Sequence, residues 1–155
     1  MSRRLLMDFG ITFPSYIRAF NDAKMAEDYG FTHAWFYDSH MCYSDVYASM
    51  ALAAEHTRYL KIGSLVSILG NRIAPVTAHS IATINELAPG RAILGVGTGF
   101  TGRNVMGMPP TKLKKMREEI GVIRSLISGT VPNPISYISV ICFLYVRTEP
   151  LASSR

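Results

Sequence analysis

Two short polar segments of this chain have the residue types needed for chemistry. Asp38-Ser39-His40 places a carboxylate, a hydroxyl and an imidazole together, directly after the apolar run 33–37. Gly97-Thr98-Gly99 follows a second run, 91–96, that is apolar after Arg91, and offers backbone amides and a hydroxyl with little side-chain bulk. Such groups orient a cofactor or hold a proton when they converge on one ligand. The two segments can act together only if the fold brings them to one place.

Alternating strand-like and helix-like segments supply such a fold. Apolar periodicity predicts strands over 4–11, 33–37, 60–66 and 91–96, and helices over 15–29, 45–56, 75–87 and 112–128, with Asp45 as the cap of the second helix. A repeat of about 28 to 31 residues is typical of parallel strands with helical crossovers. It is compatible with a doubly wound open sheet and with half of a (βα) barrel, which takes ~250 residues to close. In both, the carboxyl ends of the strands share one edge.

The pattern changes after Gly129. Residues 130–134 read as a break, and the apolar run 135–146 is compatible with a fifth strand buried on both faces or with a foreign end on a truncated or frameshifted chain. Periodicity does not separate these two interpretations. We expect a boundary at 129, with 130–155 as a divergent apolar tail.

Composition excludes several classes of protein. The chain has 155 residues, 48% of them hydrophobic, and a net charge of +5 whose basic residues are scattered, so a nucleic-acid partner is not expected. No membrane span is expected either, because the apolar run 135–146 falls short of the ~20 residues that a bilayer requires. Cys42 and Cys142 lie far apart with no metal-ligand spacing, which indicates a cytoplasmic protein and no metal site.

The glycines at 97, 99 and 102 match the dinucleotide-binding pattern and follow a predicted strand. However, Pro109-Pro110 predicts that the next helix begins about eight residues later, and the expected acidic residue at the end of a following strand is missing. We favour a cofactor-lining loop of another kind over glycines that only turn a tight loop, and both over a Rossmann-like site. For Asp38 and Ser39 the alternative is that they cap a turn, and for His40 that it is a solvated loop residue.

Longer motifs carry a family resemblance. They are Ala26-Glu27-x-x-Gly30-Phe31-x-x-Ala34-Trp35, Asp38-Ser39, Asp45-Val46-Tyr47, Ile62-Gly63, Arg72, Pro75 and Leu87-Ala88-Pro89-Gly90-Arg91-Ala92-x-Leu94-Gly95-Val96-Gly97-Thr98-Gly99. In this order the chain resembles the luciferase-like monooxygenase superfamily, and within it the branch with coenzyme F-420-dependent reductases. The resemblance covers residues 5–129. It implies an α/β fold of parallel (βα) units, the N-terminal half of a TIM-type barrel, over residues 1–129.

The resemblance also implies a cofactor, reduced FMN or coenzyme F-420, at the carboxyl ends of the strands. Leu65-Val66 matches the place where family members often hold a non-prolyl cis peptide that supports the cofactor ring. His40 is a candidate catalytic residue beside the substrate. The implied cofactor-binding residues are Asp38, Ser39, Leu65, Val66, Gly97, Thr98 and Gly99.

The implied function is hydride transfer to a small molecule or insertion of one oxygen atom into it, with self-association of two half barrels as a way to complete a site. Phe100 and Arg103 stand where some F-420 enzymes place a glutamate and an asparagine, so neither is assigned a proton-donating role. Two alternatives stay open: a truncated, inactive fragment of such an enzyme, and a nucleotide-binding Rossmann-like domain.

Overall fold

A parallel six-stranded sheet with helices between its strands forms the centre of the molecule. The computed structural model describes residues 7–128 and the strand 139–142. Along the chain the elements are β1 Gly10–Phe13, α1 Ala19–Asp28, β2 His33–Phe36, α2 Val46–His56, β3 Lys61–Ser64, β4 Ser67–Ile68, α3 Ala74–Leu87, β5 Ala92–Gly97, α4 Phe100–Val105, α5 Leu113–Ile127 and β6 Ser139–Cys142.

The order of the strands distinguishes a barrel from a doubly wound sheet. β1, β2, β3 and β5 are neighbours in chain order and all parallel, with Thr12 opposite Trp35, Trp35 opposite Gly63 and Gly63 opposite Ile93. α1 packs on α2, α2 on α3 and α3 on α5, also in chain order. A doubly wound sheet reverses its strand order and carries helices on both faces. This chain instead forms the successive (βα) units of a TIM-type barrel, as predicted.

The two faces of the sheet differ in how they are filled. Ala34, Phe36, Ile62 and Leu94 point to the helices, and each is fully buried in the main apolar cluster. On the opposite face, the Trp35 indole lies across the neighbouring strands at two glycines. A Cβ at Gly10 would lie 2.6 Å from Trp35 Nε1, and one at Gly63 would lie 2.5 Å from Cζ3. The indole therefore has its place because two adjacent strands have no side chain there.

Several predicted bounds differ from the structure. Of the predicted strand 4–11, residues 4–6 lie outside the described residues and residues 7–9 are not in a strand. The first strand is Gly10–Phe13, which pairs along the whole length of β2 and then meets Pro14, which has no amide hydrogen to donate. The predicted strand 60–66 is interrupted, and a second short segment, β4, follows it. In the tail, Ser139–Cys142 forms β6, parallel to β5. The rest of 130–155 lies outside the described residues, so the boundary at 129 stays a prediction.

A single carboxylate joins α1 to the loop that leads into β3. Glu27 Oε1 accepts hydrogen bonds from the amides of Arg58 (2.9 Å), Tyr59 (2.6 Å) and Leu60 (2.8 Å). Burial alone would raise the pKa of Glu27, but these amides and the nearby Arg91 guanidinium together hold it below its ordinary value. The carboxylate thus fixes the amino end of β3 while it is ionised.

Replacing Glu27 by Gln removes the charge but keeps the shape. Because charge-assisted hydrogen bonds become neutral ones, we expect Glu27→Gln to lower the free energy of unfolding by about 1 kcal/mol at neutral pH, a modest value since the group is partly exposed. A lowered folded-state pKa stabilises the protein above the unfolded pKa of ~4.3, and that stabilisation is lost as the pH falls through the folded-state value. The difference between variant and wild type in urea unfolding should therefore shrink in acid.

Glu55→Gln is the matched control, because Glu55 is an exposed residue on α2. Its effect on unfolding should be small at every pH. Equal losses for the two variants, or a loss in Glu27→Gln that does not change with pH, would contradict the role assigned to Glu27.

Candidate functional site

The carboxyl ends of β2, β4 and β5 meet at one edge of the sheet. The amide of Ile68, in β4, donates to the Asp38 carboxylate (2.9 Å), and Ile68 pairs with Gly97, the last residue of β5. A Cβ placed on Gly102, in α4, would lie 3.2 Å from Ser39 Cα. The two polar segments identified in the sequence are thus brought together, and the bond between Leu65 and Val66 lies in the same strand-end region.

Asp38 is buried at this edge and bridges separate segments. Its carboxylate, 4% exposed, accepts through Oδ2 from the Ile68 amide and from Arg72 Nη1 (3.0 Å). It does not cap the turn that follows it, where the amides of Cys42 and Tyr43 donate to the Ser39 carbonyl. The turn-capping alternative for the Asp38 side chain is therefore wrong, since the carboxylate reaches across to β4.

Arg72 holds two carboxylates at once. Its guanidinium donates to Asp38 and, through Nη2, to Asp45 Oδ2 (2.6 Å), and it lies 5.0 Å from the centre of the Tyr47 ring. Burial by itself would lower the pKa of Arg72, but the two carboxylates raise it, so the side chain is a permanent cation. Asp45 also accepts at Oδ1 from the amides of Tyr47 and Ala48, which confirms the predicted cap of α2.

The side chain of Tyr47, in α2, contacts β4. Its hydroxyl lies 2.9 Å from Ser67 Oγ, and both side chains are buried. Burial raises the pKa of Tyr47 to about 12, so the phenol stays protonated at neutral pH. Its part at this edge is to hold Ser67 in place.

β3 and β4 are two parts of one strand edge, separated by an irregular step. Between the pairs Gly63–Ile93 and Ser67–Val96, the β3–β4 segment contains one more residue than β5, which is a bulge. The peptide bond Leu65–Val66 in this step is cis, as the resemblance implied. Ser64 and Ser67 on either side are buried, whereas Leu65 and Val66 are half-buried. The bulge therefore presents a small apolar wall at the strand-end edge.

The end of β5 is shaped by close packing. Gly97 is buried, Thr98 is half-buried, and Gly99 has a left-handed backbone, with φ +77°. A Cβ on Gly99 would lie 2.2 Å from Ile68 Cγ2, and one on Gly102 would lie 2.5 Å from Ile68 Cδ1. Backbone conformation and the Ile68 side chain are thus sufficient reasons for glycine at 99 and 102.

One expectation about this loop is wrong. Pro109-Pro110 predicted that the next helix begins well beyond the glycines, but α4 begins directly after Gly99, at Phe100. Its six residues include a glycine and two β-branched residues, so the local helix propensity is weak. Tertiary packing on Ile68 therefore determines that a helix forms here. Since a helix does follow the glycines, its expected absence is no argument against a dinucleotide site. The argument against such a site is the strand order, which does not reverse.

His40 takes part in a hydrogen-bonded chain of side chains. Its Nδ1 lies 3.2 Å from Asn71 Nδ2 and 3.5 Å from Asp38 Oδ1. Asn71 Oδ1 in turn accepts from Arg103 Nη1 (2.6 Å), and Arg103 Nε donates to the Pro109 carbonyl (2.5 Å). His40 is thus held by neighbours and is not a freely solvated loop residue. Sequence reasoning assigned no role to Asn71, Arg103 or Arg72.

Residues 7–128 contain no group of three or more His, Cys, Asp or Glu side chains that could hold a metal ion. In the same part of the chain, no helix is both long and apolar enough to cross a bilayer.

Comparisons with known proteins agree with this architecture. The profile of the luciferase-like monooxygenase family matches residues 12–140. The 5,10-methylenetetrahydromethanopterin reductase of Methanolobus tindarius is 37% identical over 130 residues, which cover 79% of this chain and 39% of that protein. The chain thus spans about two fifths of the length of this curated relative.

Solved structures give the same result. The coenzyme F420-dependent tetrahydromethanopterin reductase of Methanopyrus kandleri superposes with a TM-score of 0.69 at 28% identity, over 85% of this chain and 44% of that chain. The oxygenating constituent of 3,6-diketocamphane monooxygenase from Pseudomonas putida, in complex with FMN, gives a TM-score of 0.69 at 18% identity, over 80% of this chain and 40% of that one. The second likeness shows the fold alone.

Arg72→Ala tests how far the strand-end edge depends on the buried ion pair. Loss of the guanidinium leaves the Asp38 carboxylate buried without its cation, so we expect a loss of about 3 kcal/mol in the free energy of unfolding, measured in urea. Lys24→Ala is the control, because Lys24 pairs with Asp28 at the surface, where both side chains are more than half exposed, and should cost less than ~0.5 kcal/mol. Similar losses in the two variants would refute a structural role for Arg72.

Proposed function

The chain belongs to the luciferase-like monooxygenase family of oxidoreductases, and from this premise we propose that it binds coenzyme F-420 at the strand-end edge for hydride transfer with a small molecule. The observation that carries the proposal is the convergence of the ends of β2, β4 and β5 at one edge, where the half-buried side chains of Leu65 and Val66 offer an apolar wall. This edge is where we expect a planar ring to bind, and the reductase relatives support the choice of cofactor.

The residues at this edge have the chemistry that a flavin-type ring requires. A flat heteroaromatic ring needs an apolar surface against one face and polar groups at its rim. Leu65 and Val66 offer the first, and the hydroxyls of Ser39 and Thr98 offer the second. Both of these residues are half-buried, and neither hydroxyl has a hydrogen-bond partner within residues 7–128. The donor set therefore fits such a ring.

The residues at the strand-end edge would share the binding of the cofactor. Leu65 and Val66 pack against the ring, Ser39 and Thr98 bind its rim, and the backbone of Gly97 and Gly99 lines the cofactor. Asp38 contributes by holding β4 in position, because its buried carboxylate already binds the Ile68 amide and Arg72. When bound, the cofactor supplies the hydride, and His40 holds a proton beside the substrate.

The comparisons favour F-420 over FMN. The matching reductase structure is 28% identical and named as F420-dependent, whereas the FMN-containing monooxygenase is 18% identical and supports only the fold. Use of reduced FMN with dioxygen is the second candidate, and it would require a pocket that excludes water. The chain covers 44% of the reductase chain, so the complete activity is part of the proposal. Self-association of the (βα) units is proposed separately.

Cofactor titration tests the proposal. We expect purified protein to bind F-420, seen as a change in its absorbance and fluorescence, and Leu65→Asp to weaken binding at least tenfold, about 1.4 kcal/mol, because a carboxylate replaces the apolar wall. Leu87→Asp is the matched control, since Leu87 is exposed on α3, and it should bind as the wild type does. Circular dichroism establishes that both variants are folded.

The outcomes separate the candidates. Binding of FMN without F-420 would replace the proposed cofactor by its alternative. Failure of both cofactors to bind at millimolar concentration would reject the site altogether. Equal weakening by Leu65→Asp and Leu87→Asp would place the site elsewhere. Sedimentation in the presence and absence of F-420 tests self-association.

A further inference from the structure

The ring of His40 can carry its single proton, when neutral, on either nitrogen, and the choice decides whether the ring donates or accepts at its free end. We propose that Arg103 and Asn71 are positioning residues that fix neutral His40 in the tautomer protonated at Nε2. The inference rests on the proposed function for its purpose, since His40 belongs to the same site. The tautomer itself is a property of the chain without any cofactor.

The orientation of the Asn71 amide follows from Arg103. A guanidinium has only donors, so the atom of Asn71 that lies 2.6 Å from Arg103 Nη1 must be the carbonyl oxygen. Arg103 cannot easily turn away, because its Nε donates to the Pro109 carbonyl. The NH₂ group of Asn71 is therefore directed at His40.

The tautomer of His40 follows from Asn71. The amide nitrogen can only donate, so His40 Nδ1, 3.2 Å away, must accept and carry no proton. The competing acceptor is Asp38 Oδ1, but it lies 3.5 Å from Nδ1, beyond the ordinary hydrogen-bond length. The other oxygen of Asp38 is already bound by the Ile68 amide and by Arg72. The proton of the neutral ring is therefore on Nε2.

This arrangement gives the strand-end edge a neutral N–H donor. The His40 side chain is 24% exposed, and Nε2 has no hydrogen-bond partner within residues 7–128. A bound molecule with a carbonyl or another electron-rich atom can accept from Nε2. In the opposite tautomer the same nitrogen would only accept, so Asn71 and Arg103 select the polarity of the ligand atom that His40 can bind.

Nitrogen-15 NMR of histidine-labelled protein tests the proposal directly. The spectra are recorded without cofactor, at a pH where titration of the same resonances shows a neutral ring, and His40 is assigned by its loss in His40→Gln. We expect Nδ1 in the range of an unprotonated ring nitrogen and Nε2 in the range of a protonated one. A His40 Nδ1 that carries the proton would overturn the proposal.

Substitution of Asn71 provides the second test. Asn71→Asp keeps the shape and the bond from Arg103, but its other oxygen can only accept, so the His40 proton should move to Nδ1. Asn104→Asp is the charge-matched control, because Asn104 is exposed on α4, and its His40 should keep the proton on Nε2. An unchanged tautomer in Asn71→Asp, or the same change in both variants, would also overturn the proposal.

Arg103→Met keeps the proposal testable if Asn71→Asp fails to fold. Without the guanidinium the Asn71 amide can rotate, so His40 should show a mixture of both tautomers, and a pure Nε2–H ring would refute the part assigned to Arg103. The two proposals fail separately. Wild-type protein with the expected tautomer but no F-420 binding rejects the proposed function alone, whereas F-420 binding with the proton on Nδ1 rejects the tautomer alone.

Discussion

One buried carboxylate determines the geometry of the strand-end edge. Asp38 is almost inaccessible to water, so its charge is tolerated only where hydrogen bonds and a cation compensate the lost solvation. The Ile68 amide and the Arg72 guanidinium supply both. These partners belong to β4 and to the segment just before α3, so neutralising one charge fixes the end of β2 against two later parts of the chain.

The remaining features of the edge depend on where this carboxylate holds β4. Ile68, fixed through its amide, occupies with its side chain the space left by Gly99 and Gly102, and α4 packs there. α4 carries Arg103, which binds Asn71, and Asn71 reaches back to His40, two residues beyond Asp38. The loops after β2, β4 and β5 are therefore joined to one another by direct contacts.

Local patterns in the sequence predicted the parts of this structure that local interactions determine. The amphipathic helix α5 follows from apolar residues three or four positions apart, and the Asp45 cap accepts from amides two and three positions further along. Both appear where they were expected. The cis peptide was predicted by resemblance alone. The hydrogen bonds of Arg72 to Asp38 and of Arg103 to Asn71 join residues 34 and 32 positions apart, so the periodicity of the sequence does not predict them. α4 was missed because its residues favour a helix only when Ile68 lies against them.

Glycines at two places in the fold show why contacts between residues distant in sequence were not predicted. In a sequence, an isolated glycine within a strand or loop indicates weakness or a turn. Here Gly10 and Gly63 leave room for the Trp35 indole, and Gly99 and Gly102 leave room for Ile68. In each case one large side chain packs over two glycines, and it belongs to a different element from theirs. The information is therefore carried jointly by residues distant in sequence, and a glycine that looks like a turn is, in the folded chain, the position of a neighbour's side chain.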